Sequence, residues 1–236
     1  MMIAVKPRHL LLSGLLLSAS ALAWVPALNL KTAATIVNSA YGRIAPVKTS
    51  LTLNLQVKGG AFAAGPGAVS LFSGPKTCLT DWIKHPTDYA AYGSRPTSIA
   101  LAGQGNYVLL QAQTARNNFA NITPAAALAK AKAALPDGTL RIFVSIAGLP
   151  HKFERNAYNV ALLGPKRQIL HPKQISYVSG TWKKASNGLW GGTMIYAFDL
   201  ANMPNLDPLG NLTILLRTEA ANSCAYEFQA DLAKFI

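Results

Sequence analysis

The chain has 236 residues, half of them hydrophobic, and its 22 Lys and Arg outweigh 9 Asp and Glu to give a formal charge of +13. Such an imbalance attracts anions: acidic glycans, phosphate polymers, lipid head groups or nucleic acid. Four histidines and two cysteines, without a G-x-S-x-G elbow, an H-E-x-x-H helix, paired C-x-x-C motifs or an EF-hand loop, exclude the common motif-bearing hydrolases and metal proteins.

At the N-terminus, Lys6, Arg8 and His9 precede an apolar or small run over 10–23, and Ala21-Leu22-Ala23 puts small residues where a signal peptidase reads them. Residues 1–23 are expected to be a secretory signal peptide, with a second candidate cut after Val25-Pro26-Ala27. An uncleaved anchor is the alternative. It needs about 20 apolar residues to span a bilayer, and Pro26 and Asn29 interrupt the run. No later stretch is long enough. The mature chain is therefore expected to have no transmembrane span and to be exported, whether periplasmic, cell-surface or secreted. Without Lys6 and Arg8 it keeps 20 of the 22 basic residues against the same 9 acids, or +11.

Residues 24–45 lack a firm period and are expected to form an N-terminal arm, helical or extended. Residues 47–58, VKTSLTLNLQVK, alternate with period two. That pattern predicts one long strand with Leu51, Leu53, Leu55 and Val57 inward and Thr52, Asn54, Gln56 and Lys58 in water. The glycine-rich residues 59–67 could cradle phosphate only if a helix followed directly. Residues 68–72 read instead as a short strand, so the loop is expected to be a hairpin connection. Residues 73–97 carry three prolines with Trp82, Tyr89 and Tyr92. They read as a flap over one end of a sheet, tied down by Cys78, with a sugar-stacking surface as the other possibility. Residues 98–102 and 107–114 flank a Gly/Asn turn and predict a second hairpin.

Thr123 as N-cap, Pro124 at the first helical position and the stop Pro136-Asp137-Gly138 predict a short helix over about 124–135. Strands are then predicted over 140–147, 158–163, 174–183, 189–200, 211–217 and 225–232, with Asn187-Gly188 as a tight turn. The fold expected is mainly all-β, an antiparallel β-sandwich, immunoglobulin/fibronectin-like in its C-terminal half by pattern, with that one helix. Residues 46–236 are read as one composite domain. Two small β domains, 46–117 and 139–236, are the alternative. In an oxidising compartment Cys78 and Cys224 are expected to form a disulfide, since neither has a histidine beside it to make a reactive thiolate.

Between 151 and 184 lie seven cations and one acid, Glu154, interleaved with Phe153, Tyr158, Tyr177 and Trp182. Charge plus stacking binds anionic polymers, so Lys152, Arg155, Lys166, Arg167, Lys173, Trp182, Lys183 and Lys184 are the candidate anionic-ligand residues. Charge that merely solubilises an exported protein is the plainer reading. Strand alternation puts Tyr177 and Lys183 on one face and Val178, Trp182 and Lys184 on the other. Trp182 and Trp190 are expected to staple the hairpin across Asn187-Gly188. His151, Glu154 and His171 are the candidate metal ligands, for zinc or iron, although both histidines sit beside prolines and lysines. Asp199 and Asp207, around Asn202 and Asn205, could hold calcium weakly but read as turn formers.

These features together predict a non-enzymatic exported β-sandwich of a bacterial cell envelope, without cofactor. It would be a structural or binding module for an acidic polysaccharide or other acidic polymer, or for an envelope protein partner, rather than for nucleic acid. The alternatives are an extracytoplasmic metal-dependent hydrolase or metalloprotein using the two histidines, and an accessory subunit of a larger envelope assembly.

Overall fold

The computed structural model describes residues 24–201, 210–220 and 222–236. The expected signal peptide, and Asp207 with Asn202 and Asn205, lie outside them.

The fold is mainly β. One antiparallel sheet runs β1 (Ser50–Asn54), β5 (Arg95–Ala102), β6 (Thr139–Leu149), β10 (Trp190–Asp199), β9 (Gln174–Lys184) in that order. The second, also antiparallel, runs β4 (Val69–Ser73), β12 (Ala225–Asp231), β11 (Asn211–Arg217), β7 (Asn159–Leu163), β8 (Ile169–Leu170). Their inner faces share one core, in which Leu51, Ile99, Ile142 and Tyr196 of the first sheet belong with Val160, Ile214, Tyr226 and Phe228 of the second. The arrangement is sandwich-like. The C-terminal strands do not all form the opposing layer: β6, β9 and β10 extend the sheet of β1, while β7, β8, β11 and β12 face it.

The opening ribbon alternates as expected, with Leu51 and Leu55 buried and Thr52, Asn54, Gln56 and Lys58 exposed. It is not one strand, however. Asn54 Oδ1 accepts the Gln56 amide at 3.1 Å, and an Asn side chain that bonds its own backbone two residues on replaces a ladder bond with a turn. The chain then resumes as β2 (Val57–Lys58) and folds back on β3 (Ala61–Phe62) through Gly59 and Gly60, whose φ values of +58° and +78° only glycine adopts without strain. The strand after this loop, β4, pairs with β12 of the other sheet.

The flap holds two helices, α2 (Thr77–Lys84) and α3 (Tyr89–Tyr92). Cys78 and Trp82 are the buried residues of α2; four residues apart, they share its inner face. Cys78 is bonded to Cys224 beside β12, with Cα atoms 5.8 Å apart. Trp82 meets Phe62 and Tyr226 edge-on, with ring centroids 5.2 and 4.8 Å away. The bridge thus seats a tryptophan plug in the core.

The expected strand over 107–114 is a helix, α4 (Gln104–Asn117). Its leucine, glutamine, alanine and arginine residues favour helix, but tertiary packing decides the matter. Gly105, Val108 and Ala112 share its buried face, and a Cβ on Gly105 would come 2.7 Å from the Ile236 carbonyl. Residues 24–45 contain α1 (Leu30–Ala40), N-capped by Asn29, whose Oδ1 accepts the Thr32 amide. The helix expected over 124–135 is α5 (Pro124–Ala134), with Thr123 Oγ1 capping Ala126. Through Ala33, Ala40, Ala112, Ala127 and Ala131 these three helices pack closely around a second core with Ile36, Val37, Val108 and Ile236. Buried Gln104 ties their ends together: its carbonyl accepts the Leu28 amide, and its amide nitrogen donates to the Leu135 carbonyl and to Asp137.

Candidate functional site

The hairpin β9–β10 builds the most distinctive surface. Leu189 donates its amide to Asn187 Oδ1 at 3.1 Å, and Gly188 turns with φ +81°. Past the turn the ladder is regular for Lys184↔Trp190 and Lys183↔Gly191, then resumes at Val178↔Thr193. Five steps along β9 therefore match two along β10, a wide bulge. Thr181 holds it, its Oγ1 donating to the Val178 carbonyl and accepting the Thr193 amide at 2.8 and 3.0 Å. The bulge turns Trp182 inward onto Gly192, where a Cβ would lie 2.2 Å from the indole Cδ2. Trp182 thus packs on backbone, and the expected staple with Trp190 gives way to this seat.

Onto that surface comes the 3-10 helix Lys152–Ala157, which follows β6. Its Arg155 guanidinium lies 3.9 Å from the Tyr177 ring centroid and 5.0 Å from that of Trp182. Alternation alone would set those two rings on opposite faces; the bulge brings both to one cation. Lys152 Nζ stands 5.6 Å over Trp190, the cross-strand partner of Lys184. Cation–π contacts are worth about 0.5–1 kcal/mol when exposed and about 2 when dry. Arg155 belongs nearer the second case, for its Nε and Nη1 are buried without hydrogen-bond partners. Among the described residues no carboxylate forms an ion pair with Lys152, Arg155, Lys183 or Lys184.

The other candidate cations lie elsewhere. Lys166 and Arg167 form a left-handed turn (φ 57° and 61°) between β7 and β8, with Arg167 over Phe72 of the second sheet. Lys173 pairs with Asp199 at 3.4 Å. His151 stacks on Phe153, with centroids 5.3 Å apart, and its amide donates to Glu154 Oε2. His171 lines an apolar groove beside Phe72 and Ile169. Among the described residues no three His, Cys, Asp or Glu side chains gather as metal ligands. Trp82, Trp182, His151 and His171 thus have separate surroundings rather than one shared cleft.

No protein-family model, curated protein or solved structure matches the chain.

A buried polar cluster that composition gave no reason to expect sits where β5 begins. Ser94 donates its amide and hydroxyl to Glu219 at 2.7 and 2.5 Å, and its Oγ lies 2.6 Å from the Tyr158 hydroxyl. Burial, helped by the Glu219 charge, pushes the Tyr158 phenol well above its usual range. Next to it Arg95 is only 4% exposed. The available signal was a lone cation directly before a proline at the head of an apolar strand. Nothing local says that the flap covers it.

Proposed function

We infer that this is an exported, non-enzymatic binding module of a bacterial cell envelope, and that it holds an acidic glycan or similar anionic polymer along β9 and the 151–157 turn. The observation that carries this reading is Arg155 stacked between Tyr177 and Trp182 with two buried, unpartnered nitrogens, flanked by exposed Lys152, Lys183 and Lys184. A guanidinium pre-positioned by two rings loses little freedom on taking a carboxylate or sulfate. The exposed ring of Tyr177 and the exposed Phe153 offer faces to a sugar. Export is supported by the N-terminal pattern and the Cys78–Cys224 bridge. No helix among the described residues is long and apolar enough to cross a membrane.

β9 is also an edge strand, which could add a strand from an assembly partner. Its bulge and terminal lysines are devices that discourage such pairing, so polymer binding is favoured over assembly. The test is titration with polygalacturonate, using neutral dextran as control, across a series of salt concentrations. Affinity for polygalacturonate should fall steeply as salt screens the charges, and Arg155→Ala should weaken it about tenfold or more. Binding that is flat in salt, or indifferent to Arg155→Ala and Lys183→Ala, overturns the reading.

A further inference from the structure

We propose that the cavity beside Arg95 is a second site, one that binds a small organic carboxylate with a compact apolar body. Arg95 opens β5 beneath the flap and is 4% exposed. Among the described residues its Nη1 alone finds an acceptor, the Tyr92 carbonyl at 2.9 Å, and its Nε is buried without a partner. No described carboxylate lies within ion-pair distance of it. Glu219, next to Arg95's neighbour Ser94, spends both oxygens on that serine. A buried cation without a counter-charge is costly, and its Nε–Nη2 edge, which makes no hydrogen bond among the described residues, is one that a carboxylate can engage with two parallel hydrogen bonds.

The space beside Arg95 suits such a ligand. Among the described residues Arg95 is the only charged side chain on the wall of a cavity of about 210 Å³, which Trp82, Pro86, Tyr89 and Pro96 line with ring surfaces and Gln56 and Thr87 rim with polar groups. That volume equals roughly seven waters at about 30 Å³ each, enough for a carboxylate on a single ring but not for a polymer. A second cavity of about 230 Å³ that Arg95 also lines is bordered by Asp81, which repels an anion. The ligand is therefore expected in the acid-free cavity. The disulfide is part of the site: it fixes α2 and so Trp82, whose ring centroid lies 5.7 Å from the Arg95 guanidinium.

The probe is benzoate, with benzamide as its neutral equal in shape, measured by titration calorimetry on the disulfide-bonded protein. Benzoate should bind, and benzamide should bind at least about tenfold more weakly, the loss expected when a charged hydrogen-bond acceptor becomes neutral. Gln56→Glu, at an exposed rim position, should weaken benzoate by about tenfold by placing a competing carboxylate at the mouth. Arg95→Lys keeps the charge, loses the fork and should also bind more weakly; should it fail to fold, Gln56→Glu decides. Equal affinity for benzoate and benzamide, no binding of benzoate at millimolar concentration, or a Gln56→Glu variant that binds benzoate as the parent does would each overturn the proposal.

Discussion

Trp182 lies flat on the backbone of Gly192, with its Cδ2, Cε2 and Cε3 atoms 2.2, 2.5 and 2.7 Å from where a Cβ would stand. Only glycine leaves that seat open. Gly192→Val is expected to expel the indole and cost about 1–3 kcal/mol through overpacking. Polygalacturonate affinity should fall in parallel, because Arg155 loses one of its two rings. Chemical denaturation checks the first effect and calorimetry the second; an unchanged midpoint would show that Trp182 does not need the seat.

The Cys78–Cys224 bridge spans 146 positions, and closing a loop of that size stabilises by roughly 4–5 kcal/mol in the chain-entropy model. The double variant Cys78→Ser/Cys224→Ser should lose a comparable amount. Because Trp82 sits one turn from Cys78, its fluorescence should shift towards that of a wetter indole before global unfolding. Coincidence of the fluorescence and circular-dichroism transitions would argue against such a local release.

Burial raises the phenol pKa values of Tyr158, Tyr196 and Tyr226. In the unfolded chain these groups ionise near pH 10, so above that pH the unfolded state binds fewer protons than the folded one and stability falls as pH rises. Each fully buried phenol contributes a slope of about 1.4 kcal/mol per pH unit until its folded pKa is reached. Stability should therefore be insensitive to these groups below pH 10 and drop steeply above it. Tyr196→Phe should make the drop shallower. A denaturation series that shows the same alkaline slope for parent and variant refutes this account.

Trp24 is buried at the junction of sandwich and helices, its amide donating to the Leu232 carbonyl at 2.9 Å and its indole nitrogen closely approached by Gly103. A cut after Ala27 would remove it. Processing after Ala23 is accordingly expected, and N-terminal sequencing of exported protein should begin at Trp24. Trp24→Ala should cost about 3–5 kcal/mol. A mature chain that starts at Leu28 with full stability would contradict this.

Strands and turns were legible where the information is local. The alternation of 47–58 sets which residues are dry, Thr123-Pro124 starts a helix, and Asn187-Gly188 turns a hairpin, because each depends on a residue and its immediate neighbours. The pairing of two distant cysteines was also legible, since a chain expected to be exported has few other uses for two thiols. Residues 104–117 were not. Their apolar residues suit either period over so short a span, and contacts with α5 and with the remote α1 and Ile236 select the helix.

The site shows the same division. Composition determined that this protein is basic, and residue order that its cations mingle with aromatic residues between 151 and 184. Only the tertiary structure decided that Arg155 gathers two rings, that Lys173 pairs with Asp199, and that Arg95 is sealed under a disulfide-pinned flap with no ion-pair partner among the described residues. The physical reason is distance. Charge and propensity belong to a residue wherever it stands, whereas a bulge, a covering helix or a missing carboxylate is a relation between segments that meet only after folding.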